Sequence, residues 1–130
     1  MKAYWLIVVV ICCTLSCKKT QVHIGPGLFG KWEVRHTMGS IVGYDSTFKA
    51  GNGRVLQFSQ DSTYRSYNKQ KLLQTGKFHI RPTDYPTANS LAILFDNSEY
   101  VQVFILKGDS LQIGMDVNDG VETDFVKISD

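Results

Sequence analysis

From residue 31 to residue 128 the sequence is a succession of short runs in which apolar and polar residues alternate, and no helical period lasts longer than one turn. Alternation with period two puts successive side chains on opposite faces of a strand, so this stretch has to fold as β-structure. The runs cover residues 31–37, 55–59, 63–67, 76–80, 90–95, 100–106, 111–115 and 122–128. That is about eight strands at a spacing of about ten residues, the pattern of a sandwich or a barrel. Turn residues separate them, among them Gln60-Asp61-Ser62, Lys107-Gly108-Asp109 and Asn118-Asp119-Gly120. Residues 90–95 and 100–106 are nearly continuous apolar runs and read as central strands, while Pro82 is expected to stop the strand before it.

The chain has 130 residues, enough for one domain. Its 14 Lys and Arg against 12 Asp and Glu give a formal charge of +2. Losing Lys2 with a leader makes it +1, and no patch of one sign stands out in the sequence, so nucleic acid is not an expected partner. All three cysteines, Cys12, Cys13 and Cys17, lie in the first 17 residues. The remainder therefore has no disulfide framework, no cysteine zinc site and no thiol nucleophile.

That N-terminal stretch reads as export and anchoring. Met1-Lys2 is a short positive start, and residues 4–15 form an apolar run of signal-peptide rather than membrane-spanning length. The following Thr14-Leu15-Ser16-Cys17-Lys18-Lys19 resembles a bacterial lipobox, in a relaxed form similar to those of Bacteroidetes-type lipoproteins, with Thr14 in place of the usual aliphatic residue. The resemblance implies a signal peptide over residues 1–16, a diacylglycerol thioether on Cys17, and then N-acylation. Residues 17–27 form the lipidated cysteine and a polar tether, and residues 28–130 the folded domain. The expected place is the outer membrane, facing the periplasm, because no acidic cluster follows the cysteine.

Leu28-Phe29-Gly30-Lys31-Trp32 opens the domain. Leu28-x-Gly30-x-Trp32 resembles the opening motif of lipocalin-like barrels, and Leu56-x-Phe58-x-x-Asp61-x-Thr63-Tyr64 is similar to the second and third strands of small bacterial lipocalin-like domains. The resemblance spans residues 28–128 and implies an all-β, antiparallel eight-stranded up-and-down barrel, with Leu28 and Gly30 closing its base and Trp32 packed into it. Trp32, Leu56, Phe58, Tyr64, Phe78, Phe95 and Phe104 would line its interior and any ligand site. The chain departs from the larger members by its short length and its lack of a disulfide and C-terminal helix. Thr83-Asp84-Tyr85 spells the second lipocalin motif too early in the chain to serve as one. The arginine that covers the tryptophan in that family is matched at best by Lys127, which is placed equally well over Trp32 or exposed on an edge.

Other constellations dissolve on inspection. Gly25-Pro26-Gly27-Leu28-Phe29-Gly30 matches G-x-G-x-x-G, but a tether precedes it and a strand follows, the wrong context for a dinucleotide site. Residues 116–120 hint at a calcium loop, yet the twelfth place falls on Lys127 instead of a bidentate carboxylate, so they read as a hairpin turn. His23, His36 and His79 have no ligand spacing, and no Gly-x-Ser-x-Gly elbow occurs. No catalytic residue, metal ligand or cofactor is expected.

Two functions stay open at this stage. A monomeric barrel can carry a small apolar ligand in its open end, with Arg65 and Tyr67 as polar rim groups and residues 41–52 as a lid. Alternatively its core is solid and its loops or a strand edge contact an envelope protein. An apolar cavity above about 300 Å³ favours the first, a filled interior the second.

Overall fold

A computed structural model describes residues 26–39, 43–84, 86, 90–115 and 120–130. The expected signal peptide, Cys17, the expected tether up to residue 25 with His23, Tyr85, and residues 116–119 of the expected hairpin turn lie outside the described residues. A short 3-10 turn, Pro26–Leu28, leads into nine strands: β1 (Gly30–Gly39), β2 (Tyr44–Thr47), β3 (Arg54–Phe58), β4 (Thr63–Asn68), β5 (Lys71–Thr83), β6 (Ser90–Phe95), β7 (Gln102–Lys107), β8 (Ser110–Met115) and β9 (Val121–Ser129). Each pairs antiparallel with its neighbour in the order β1-β3-β4-β5-β6-β7-β8-β9, and β9 returns to β1. The result is a closed eight-stranded up-and-down barrel, as the alternating runs require, with β2 as one extra strand. Closure leaves these eight strands no continuous free edge.

One end of the barrel is sealed by the opening motif. Leu28 and Trp32 are fully buried, and the indole Nε1–H of Trp32 donates to the Leu28 carbonyl at 2.8 Å. A buried indole needs such a partner, and here it comes from the turn that covers it. Gly30 has φ of 119°, and a Cβ there would run into the Ser129 carbonyl oxygen. Only glycine lets β1 start that close to the end of β9. Opposite Trp32 in the register stands Lys127, whose ammonium lies 5.7 Å from the ring centroid. The lysine therefore covers the tryptophan.

The second strand of the barrel is broken in two. β3 pairs with the first residues of β1 (Trp32 with Leu56), and β2 pairs with its last (His36 with Thr47), both along the same edge. Between them residues 48–53 loop outward, and Glu33 holds the loop in place. Glu33 points away from the core yet is only 4% exposed, because this loop lies over it. Its Oε2 accepts from Gly51 N–H at 3.0 Å and pairs with Arg35, while its Oε1 accepts from Gly53 N–H at 3.1 Å. Asn52 adds Nδ2–H bonds to the Val34 and Lys49 carbonyls. Burial pushes the Glu33 carboxyl up, but the Arg35 guanidinium and the two amides outweigh it and hold it below the usual carboxylate range. The stretch 41–52 is thus not a lid: its described part is a strand followed by a pinned loop.

β5 also differs from expectation. It runs from Lys71 through Pro82 to Thr83, with Pro82 opposite Leu91. Its pairing with β4 ends at Lys77, which puts Pro82 at an edge past the β4 ladder. A residue without an N–H is accommodated on such an edge.

Candidate ligand pocket at the open end

Alternation fixes which side chains face inward. Trp32, Phe58, Tyr64, Phe78 and Phe104 are buried in the core, and Leu56 and Phe95 pack against them half-buried. Phe58 meets Phe78 edge-on at 5.1 Å and stacks on Phe95 at 6.3 Å, while Tyr64 meets Phe95 edge-on at 4.6 Å. Burial raises the pKa of the Tyr64 hydroxyl, which donates to Asn97 Oδ1 at 2.5 Å. These rings pack the half of the barrel nearest Trp32.

Towards the other end the interior opens. Leu56, Phe95, Gln102, Ile113, Met115, Val121, Thr123 and Phe125 line a pocket of about 190 Å³. This is smaller than the roughly 300 Å³ at which drug-sized ligand pockets begin. Of the seven residues expected to form a site, the structure brings Leu56 and Phe95 to this pocket, and the other five are packing. Gln102, Ile113, Met115, Val121, Thr123 and Phe125 were not anticipated, although they share the inward parity of Phe104 and Leu111 along β7, β8 and β9.

A second hollow, of about 650 Å³, lies on the outer wall beside the same rim. It crosses β7, β8, β9, β1 and β2, and Gly114 and Gly39 deepen it by carrying no side chain. Met38, Tyr44, Val103 and Ile105 supply apolar walls, and Asp45, Gln112 and Glu122 supply polar ones. Among the described residues that line it there is no lysine or arginine. Met115 and Val121 border both this groove and the interior pocket, so the two hollows meet across the rim.

The polar side of the groove is a connected network. Gln112 Nε2 donates to Glu122 Oε1 at 2.8 Å and to Asp124 Oδ1 at 2.9 Å. His36 stands between two strands, with Nε2 2.7 Å from Asp45 Oδ1 on β2 and Nδ1 3.3 Å from Asp124 Oδ2 on β9. Hydrogen bonds to Asp45 and then Asp124 raise its pKa, because the imidazolium donates at both nitrogens while neutral imidazole donates at one. The acceptors of this wall therefore suit a donor or a cation.

Arg65 and Tyr67 line neither hollow. With Tyr64 inward, its neighbours at 65 and 67 must face out, where Arg65 pairs with Gln57 and Tyr67 with Val55, and the Tyr67 hydroxyl reaches Gln57 Oε1 at 3.5 Å. Among the described residues no group of three or more His, Cys, Asp or Glu side chains is arranged to hold a metal ion. Comparison of the chain with protein-family models, with curated proteins and with solved structures finds no match in any of the three. What the fold and site define is a small closed antiparallel β-barrel with a two-part hollow at one rim.

Proposed function

We propose that this is a lipid-anchored, non-catalytic binding protein of the lipocalin-like kind, held at the periplasmic face of the outer membrane through Cys17. Its ligand is a small amphiphile bound across the open rim. The lipobox-like Ser16-Cys17 and the apolar leader support the anchor. The seal of Leu28 and Trp32 under Lys127 supports the lipocalin-like reading. One observation carries the ligand: Met115 and Val121 are shared by an apolar interior pocket and a wider groove with carboxylate walls. An apolar cavity of about 150 Å³ accommodates a benzene ring, so the interior takes a ring or a short alkyl end. The donor-bearing head then lies in the groove against Glu122 and Asp45.

Native mass spectrometry of the chain from residue 18 onward, purified from its own envelope, tests this. A reproducible added mass, lost on denaturation and lost in Val121→Trp, supports rim binding. A mass that Val121→Trp leaves in place puts the ligand elsewhere.

A second reading, an interaction module for an envelope protein, is favoured by the ring-filled half of the barrel. Clean apo-protein, with no thermal shift against a panel of amphiphiles, would select it.

A further inference from the structure

The β4–β5 hairpin is the part of the barrel that the pocket leaves unexplained. β5 meets β6 only from Phe78 onward, so its first residues are paired with β4 alone, and Lys71 to Thr75 are all exposed. Near the tip a β-bulge sets Leu72 and Leu73 together against the single residue Tyr67, which turns both leucines out of the regular alternation. They are 48% and 62% exposed. The turn itself holds Lys69 and Gln70 at φ of 49° and 70°. Glycine or asparagine is the usual occupant there, and a lysine held in that conformation directs attention to its charge.

Cations lie beside the hairpin tip. Lys69 N–H donates to the Gly53 carbonyl at 2.9 Å, joining the turn to the pinned loop that carries Lys49. Arg54 pairs in register with Asn68 beside the turn. Lys49, Arg54, Lys69 and Lys71 are all exposed. Residues 48–77 contain six Lys or Arg and one acid, Asp61, which lies at the opposite end of the barrel and is engaged by Thr63. The fold thus separates charges that look balanced along the sequence: a basic, leucine-tipped hairpin on one side and the carboxylates of β2 and β9 on another.

We propose that this hairpin tip docks onto a membrane surface carrying anionic headgroups. Leu72 and Leu73 enter the boundary between headgroups and acyl chains, and Lys69, Lys71, Lys49 and Arg54 meet the phosphates. Apolar side chains ringed by lysine and arginine are what such an interface attracts. The anchor allows it. A ten-residue strand tilted at about 40° gives a barrel roughly 25 Å tall, and the nine residue steps from Cys17 to Pro26 span about 30 Å when extended. The lipid can therefore lie in the same membrane that the hairpin touches. The docking rests on the proposed anchor only for which membrane is met, and not at all on what the pocket binds.

The test uses the mature chain in phosphatidylglycerol-containing vesicles, with one environment-sensitive thiol label at Leu73→Cys. A label at Asp109→Cys, in the turn at the sealed end, is the control. Docking predicts a blue shift and quenching by headgroup-level nitroxide lipid at 73 and not at 109. It also predicts that both are lost in Lys69→Glu/Lys71→Glu and in pure phosphatidylcholine. Equal water exposure of the two labels overturns it. So does immersion that survives the charge reversal, or a label at 73 that is shielded only when another envelope protein is added. The mass of the N-terminal peptide reports lipidation separately. If Cys17 carries no lipid, flotation of the chain with anionic vesicles, lost on charge reversal, still decides the docking.

Discussion

Lys127 stands over the ring of Trp32 and is itself held by Asp130, its ammonium 2.5 Å from the Asp130 carboxylate and 5.7 Å from the ring centroid. The lysine side chain is mostly buried, so its attraction to the ring is weakly screened. Replacing it with methionine keeps most of the packing and removes the charge. Lys127→Met is expected to cost about 1 kcal/mol, with Lys127→Arg at or above the parent. Urea unfolding of the chain from residue 18 onward, followed by Trp32 emission, reads this directly, since the only other tryptophan, Trp5, lies outside that stretch. Equal stability of Lys127→Met and the parent would make the contact incidental.

Glu33 joins two backbone amides and a guanidinium through one carboxylate. Glu33→Ala is expected to destabilise by about 2–3 kcal/mol, because it strands the Gly51 and Gly53 N–H groups under the loop. The carboxyl has its pKa lowered in the folded state. Its contribution is therefore complete above the ordinary carboxylate pKa and fades as pH falls through the lowered one. Glu33→Gln should flatten that acid limb of the stability profile, and an unchanged limb would assign it to other groups.

His36 works in the opposite direction. Its pKa is raised by Asp45 and Asp124, so the stabilisation is fully present below the ordinary histidine pKa and is lost as pH rises through the raised one. The bridge ties β2 to β1 and β9. Amide hydrogen exchange of residues 44–47 should accelerate on that alkaline side more than pH alone dictates, and His36→Gln should remove the excess. A ring-proton titration of His36 that shows no upward shift would contradict the geometry.

The two halves of the barrel should respond differently to truncation. Phe58 is enclosed by other rings, and Phe58→Ala is expected to cost about 3–5 kcal/mol through the cavity it leaves. Leu56 borders the open pocket, where part of its surface already faces the hollow, and Leu56→Ala should cost about 2 kcal/mol, near the low end for such changes. Thermal melts of the two variants side by side check the order.

The barrel was legible because alternation survives in nearly every strand. Leu56 and Phe58, or Ile113 and Leu111, announce their face by parity alone. What failed to show were features made by contacts across the fold. β2 has only four residues, Tyr44–Thr47, without an apolar alternation, and its partner is set by His36 and the loop below it. Nothing near Glu33 in sequence says that Gly51 and Gly53 will arrive over it. Arg65 and Tyr67 were misplaced at the rim although Tyr64 next to them already fixed their outward side. The hairpin tip was hidden too, since Lys69-Gln70 carries no glycine to mark the turn.

Barrel closure along β1 and β9 has a consequence for how the molecule comes into being. The seam joins residues about as far apart as the chain allows, with Gly39 paired to Val121 and Lys31 to Ser129. Pairings so distant in sequence are slow to form, because a long stretch of chain must be ordered before they add anything. During synthesis, β1 has to wait with one flank bare until the last strand emerges. Until then the molecule is an open sheet whose terminal strands, β1 and β8, invite pairing with other chains. Loss of β9, Val121–Ser129, would hold it in that sticky, unclosed form, so the soundness of each copy turns on whether this one strand reaches β1.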